Sequence, residues 1–243
     1  MALREELERS GAWLFRYRSW IPPVVLVLLV FAGAGRSEPA GLSRAGTAVG
    51  LSVAALGLLF RAWVIGHAPS GTSGKNRALQ VAASLSTTGP YSLVRHPLYL
   101  GNYLLWLGPA LALGVWWAPV LISLLFALYY ERIMFVEEEF LRRTFGPQYL
   151  DWAAQTPAFI PRLSCWQPAA LRFSLRTVLR QEYYAWFSTV ALFVLLEVGI
   201  RFVDTGRLAL SRPWIGLLVV TGGVAGLLRT LQRYTKVLHV EGR

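Results

Sequence analysis

The chain alternates long apolar runs with polar joints. Apolar stretches occupy 21–35, 45–66, 98–130, 185–203 and 213–228. About 20 apolar residues suffice to cross the hydrocarbon core of a bilayer. The run from 98 to 130 is too long for one crossing and is read as two helices. Gly108-Pro109 offers one place to turn; Gly114 through Pro119 offers another, and the turn is placed there. The pattern therefore predicts six transmembrane helices: an all-α, polytopic integral membrane protein forming a single membrane domain over 1–243. The first run is preceded by about twenty residues with several acids and no small-x-small cleavage pattern, so it is expected to be a retained span rather than a signal.

Composition supports this reading: 55% of the residues are apolar, against about 45 to 50% in soluble domains. The basic residues then suggest an orientation. Eighteen of the 24 lysines and arginines fall in the N-terminus, in 67–97, in 131–182 and in the C-terminus. Five lie on the opposite side, and Arg61 lies within a span. Both termini and both long loops are expected in the cytoplasm. The net charge of +11 is spread over helix ends rather than along one stripe. It points to anionic lipid headgroups, not to nucleic acid. One cysteine, Cys165, excludes an internal disulfide, and His67, His96 and His239 lack metal-ligand spacing, so no metal is expected.

Function is expected in the two long polar segments. The first, 67–97, carries glycines and Lys75 in a phosphate-loop-like setting, but Pro69 and Asn76 break that pattern. It is read as a flexible polar loop ending in the turn Thr88-Gly89-Pro90-Tyr91 and in Arg95-His96-Pro97. The second begins as an amphipathic helix with Phe135, Val136, Phe140, Leu141 and Phe145 at helical spacing. Gly146-Pro147 breaks it. The basic stretch from Arg162 to Glu182 is expected to follow the headgroups.

Each polar motif alone has a plain structural account. Glu137, Glu138 and Glu139 lie about 100° apart on a helix, so at most two share a face and the third should be solvated. Arg142 and Arg143 can balance them. Arg95 can snorkel, and Pro97 can occupy a first helical turn.

Together, the two motifs carry more. G-P-Y-S-L-V-R-H-P-L-Y-L-G, about 35 residues with a helical hairpin, and then E-E-E-F-L-R-R-T-F-G-P-Q-Y-L-D-W-x4-P-x-x-I-P resemble the isoprenylcysteine carboxyl methyltransferase and phospholipid methyltransferase superfamily. The resemblance covers roughly 86–162, the expected core; 183–231 is an additional helix pair. Trp152 and Thr156 depart modestly from the family's pattern. The resemblance implies a cytoplasmic S-adenosylmethionine site touched by Tyr91, Arg95, His96, Pro97, Tyr99, Gly101, Glu137 and Glu138. Catalytic roles are expected for Arg95, His96 and Glu138, with Arg95 toward the cofactor carboxylate and a glutamate, Glu138, toward its ammonium.

The resemblance implies a methyl acceptor on a membrane lipid or a lipidated group. An amine acceptor calls for a base such as His96 or a glutamate; a phosphate or carboxylate calls only for cations. Lys75, Asn76, Arg77 and Gln80 suit an anionic headgroup. The stretch around them, with W-L-F-R-Y-R-S-W near the N-terminus, is similar to the bacterial lipid A 1-phosphate methyltransferase branch. Other readings stay open: a lipidated-cysteine carboxylate or phospholipid amine as acceptor, a sterol-reductase-type enzyme using NADPH, or a non-catalytic membrane protein or small transporter. Glu197, inside the fifth span, is a functional candidate by position, with a pair to Arg201 as the simpler account. No oligomeric state follows from the sequence.

Overall fold

The computed structural model describes residues 2–18, 20–34, 42–69, 84–240 and 242. Among these residues there is no strand. The helices are α1 (Leu3–Tyr17), α2 (Ile21–Gly33), α3 (Arg44–His67), α4 (Pro90–Leu93), α5 (Pro97–Ala112), α6 (Trp117–Phe145), α7 (Pro147–Gln155), α8 (Leu175–Thr205) and α9 (Arg212–Tyr234). A 3-10 turn spans Leu163–Cys165. The six apolar runs correspond to α2, α3, α5, α6, α8 and α9. Four of these, α3, α6, α8 and α9, are long and apolar enough to cross a membrane. At 1.5 Å per residue, α2 and α5 reach only about 20 and 24 Å.

The hairpin turn falls where the sequence places it. Gly114 has φ +71°, a left-handed conformation that glycine adopts without steric cost. Gly108-Pro109 does not turn the chain, and α5 runs through both residues to Ala112. Glycines instead bring helices together: α3 and α5 pack backbone to backbone at Gly50 against Gly108 and at Gly57 against Gly101. One apolar core joins Val25 and Leu29 of α2 to Leu113, Ile122, Leu196 and Ile200. A second gathers Ala54, Ala112, Phe193 and Trp214.

The two longest helices overshoot. α6 has 29 residues and α8 has 31, or about 44 and 47 Å, against a hydrocarbon core of about 30 Å. Both project at the end where α5 begins. The projecting part of α6 is covered by α1, which runs antiparallel to it. Gly11 lies directly on the Arg132 backbone and Val136, Phe15 joins Phe126, Tyr129, Tyr130 and Ile133, and Arg143 pairs with Glu8 at 2.9 Å.

Two expectations are corrected here. The stretch from Arg162 to Glu182 does not lie along the headgroups throughout, because α8 already starts at Leu175 with Ser174 accepting a capping bond from Thr177 N–H. Nor is the third acid solvated: Glu139 is buried, paired with Arg4 of α1 and 3.6 Å from Arg142. The helix geometry was correct, but α1 covers the face that was assigned to water. Glu197 is buried and accepts from Arg201 Nε at 2.5 Å and from Leu42 N–H at 2.7 Å, which is the simpler of the two accounts.

Candidate active site

The site forms where α4, α5, α6 and α7 converge. Gly89, at φ +61°, turns the chain into α4 in a space where Ala169 leaves no room for a side chain. After α4 the backbone extends and meets the segment that follows α7. Arg95 N–H donates to Pro157 O at 2.8 Å, His96 N–H to Ala158 O at 3.2 Å, and Arg162 N–H to Leu93 O at 3.0 Å. The P-x-x-I-P stretch thus acts through its backbone, supplying carbonyls that hold the Arg-His-Pro segment in place.

α5 then starts at Pro97, whose missing N–H costs nothing in a first turn. This directs Arg95 and His96 at the acids of α6. Arg95 Nε donates to Glu138 Oε1 at 2.8 Å, and Nη2 to Oε2 at 3.3 Å. Its Nη1 donates to the Ala153 and Thr156 carbonyls at 2.8 and 2.7 Å, capping the end of α7. Arg95 therefore joins Glu138 directly instead of facing it from across a gap.

The His96 ring is buried and lies between two carboxylates. Nε2 donates to Glu138 at 3.0 Å, and Nδ1 stands 3.6 Å from Glu137. Burial opposes its charge, but the hydrogen bonds and charges of Glu137 and Glu138 outweigh burial and raise its pKa above the ordinary histidine value. Tyr99 stacks on the His96 ring with ring centres 5.5 Å apart and donates to Glu137 at 2.6 Å. Tyr91, its hydroxyl pKa raised by burial and by the charge of Glu137, borders the same carboxylate. Tyr149 is raised by burial and by Glu138. Among the described residues, the buried Trp152 indole N–H lacks a hydrogen-bond partner. Such orphaned donors are rare in folded proteins.

The structure thus gathers Tyr91, Arg95, His96, Pro97, Tyr99, Glu137 and Glu138. It does not bring Gly101 to them: that residue faces α3, where a Cβ would collide with the Arg61 stem. Lys75, Asn76, Arg77 and Gln80 lie outside the described residues.

Sequence reasoning missed a second network. Arg61 of α3 grips Glu182 of α8 at 2.8 and 2.7 Å and also donates to Asn102 of α5. Asn102 donates to Tyr130 OH at 3.0 Å, and Tyr130 lies against Tyr99 with ring centres 4.5 Å apart. The signal was a lone arginine inside an apolar run; its partner, 121 residues away, had been assigned to the polar joint.

The fold is that of an all-helical membrane protein, and its ionic cluster lies at the end of α6 that projects toward the start of α5. Residues 45–148 match the phospholipid methyltransferase family. The nickel-cobalt-cadmium resistance protein NccN of Alcaligenes xylosoxydans xylosoxydans is 34% identical over 157 residues, 64% of this chain and 66% of that protein. The cobalt-zinc-cadmium resistance protein CzcN of Cupriavidus metallidurans is 36% identical over 119 residues, 49% of each. A protein-S-isoprenylcysteine O-methyltransferase of Schizosaccharomyces pombe is 34% identical over 77 residues, 32% of this chain and 33% of that enzyme. In each case the match spans less than two thirds of the relative's own length. No solved structure matches the chain. The family match over 45–148 and the similarity to the isoprenylcysteine enzyme together support the isoprenylcysteine carboxyl methyltransferase and phospholipid methyltransferase superfamily. Among the described residues no three His, Cys, Asp or Glu side chains gather into a group able to hold a metal ion.

Proposed function

We propose that the protein is an S-adenosylmethionine-dependent methyltransferase that O-methylates an anionic group on a membrane lipid, such as the lipid A 1-phosphate. The observation that carries the acceptor class is the engagement of His96 and both carboxylates with one another. An amine acceptor needs a base to take its proton, and in this cluster each candidate base already has partners. His96 bonds Glu138 at 3.0 Å and stands 3.6 Å from Glu137, Glu138 also accepts from Arg95, and Glu137 accepts from Tyr99. A phosphate or carboxylate oxygen is already a nucleophile and has no proton to lose.

The donor set fits the cofactor. Glu137 and Glu138 supply negative charge for its ammonium, while the unpartnered Trp152 N–H supplies a donor for an acceptor atom. S-adenosylmethionine provides a methyl group whose transfer to an anionic oxygen forms a C–O bond and breaks the C–S bond. Arg95 orients Glu138 and fixes the end of α7, His96 fixes both carboxylates, and Tyr91 and Tyr99 wall the space beside Glu137. Their common task is positioning, so that the reacting atoms meet at near-attack distance. Lys75 and Arg77, with Asn76 and Gln80, are the proposed clamp on the acceptor anion. The active face and both termini are assigned to the cytoplasm by the distribution of basic residues.

The similarity to the isoprenylcysteine enzyme keeps one second acceptor in view, a lipidated-peptide carboxylate, which is also anionic. Labelled methyl transfer from S-adenosylmethionine to membrane extracts tests both. Label in a phosphate-bearing lipid supports the proposal, base-labile label on peptide supports the second acceptor, and label in an amine headgroup overturns the argument from His96. Calorimetric binding of NADPH without S-adenosylmethionine overturns the methyltransferase reading itself.

A further inference from the structure

A cavity of about 370 Å³ opens between the projecting start of α8 and the end of α9, lined by Arg180, Gln232, Thr235, Lys236, Leu238 and His239. None of these residues belongs to the candidate active site, and all lie outside the stretch matching the methyltransferase family. The lining is chemically one-sided. Two permanent cations and a histidine are joined by an amide and a hydroxyl, with buried Leu238 as the apolar part of the wall. Among the described residues no carboxylate lines the cavity. Glu182, two residues beyond Arg180, is engaged by Arg61. Like charges concentrated in a concave site repel one another and favour an anion between them.

The position narrows the anion. The cavity sits where α8 and α9 leave the membrane, and α9 is flanked by exposed Val219, Val220, Val224 and Leu227. This matches the setting in which basic pockets between membrane helices take phosphate-bearing headgroups. We propose that this cavity binds a phosphate oxyanion, with an anionic glycerophospholipid headgroup as the occupant, and that the site is separate from the methyl-transfer centre. Arg180 contributes a planar pair of donors and Lys236 a point charge. Gln232 and His239 complete the donor set whether or not the imidazole is charged.

The test is native mass spectrometry of the full-length detergent-solubilised protein titrated with phosphatidylglycerol or phosphatidylcholine, with and without millimolar inorganic phosphate. The wild-type chain is expected to retain phosphatidylglycerol in preference to phosphatidylcholine. The Arg180→Gln/Lys236→Gln variant is expected to lose about thirtyfold in that affinity at low salt, at the usual contribution of a basic residue near anionic lipid. The charge-keeping Arg180→Lys/Lys236→Arg variant should retain it, and melting curves of both variants establish that each is folded. Lipid bound and not displaced by phosphate identifies the headgroup as occupant. Phosphate bound without lipid preference keeps the oxyanion site and assigns a soluble occupant. Equal lipid binding by the wild-type and doubly neutralised proteins, or no binding of either probe, overturns the proposal. Because the readout is binding at α8 and α9, it is independent of whether methyl transfer is observed.

Discussion

The protein holds two arginine–glutamate pairs at similar arginine exposure, and they differ in the glutamate. In the Arg61–Glu182 pair the acid side chain is 2% exposed; in the Arg95–Glu138 pair it is 26% exposed. Arg61 meets both oxygens of Glu182 through good donors, and Asn102 takes another of its nitrogens. That pair is closed on itself and ties α3, α5 and α8 together. Glu138 accepts from Arg95 and His96 as well, but its side chain stays partly open beside Glu137. A charge kept in an apolar chain is structural when its partners enclose it, and a candidate for chemistry when one side stays open.

Breaking the closed pair should have the largest effect. Glu182→Ala leaves Arg61 buried without its anion, and loss of one partner of a buried pair costs about 3–5 kcal/mol. The variant is expected to melt far below wild type in detergent, whereas Arg61→Met/Glu182→Leu recovers most of the loss. If the single variant melts like wild type, the pair is not structural.

Next comes the open pair. Glu138→Gln keeps the shape but removes the charge, and methyl transfer should fall about 100-fold in kcat/KM, the scale of losing one preorganised electrostatic contact. Its melting temperature should drop less than that of Glu182→Ala. Activity near wild type would remove Glu138 from the proposed site.

His96 sharpens the comparison through pH. Its pKa is raised in the folded protein, so its stabilising contribution is fully present below the ordinary histidine pKa of about 6.5. That contribution is lost as pH rises through the elevated value. Wild-type melting temperature should fall as pH rises above the ordinary histidine value, and His96→Gln should flatten the fall. The smallest effect is expected at the exposed Arg143–Glu8 pair. Arg143→Ala should cost about 0–1 kcal/mol, and a larger loss would mean that α1 is held mainly by charge.

Much of this was legible in the sequence. The apolar runs located all six long apolar elements, and Gly114 and Gly146-Pro147 marked real breaks, because φ preference and missing donors act locally. The Arg-His-Pro and glutamate motifs came together because the hairpin returns α6 to the start of α5. What stayed hidden depends on distant surfaces. Leu175 to Glu182 looks like a polar joint until Arg61 is placed opposite it, and Glu139 looks solvated until α1 docks. Arg95 reads as a free cation until α7 presents its carbonyls. Gly101 fitted the motif, but nothing local says which neighbour its bare face meets.

That bare face bears on how variants should be interpreted. Since the Arg61 stem crosses α5 at Gly101, an alanine there would separate two helix axes and pull the guanidinium from Glu182 and Asn102 at once. The resulting defect would spread from the crossing point in both directions, toward α8 and, by way of Tyr130 and Tyr99, toward Glu137. A glycine variant of this kind would imitate the loss of a ligand contact while touching no ligand, and only the melting curve would tell a shifted scaffold from an emptied site.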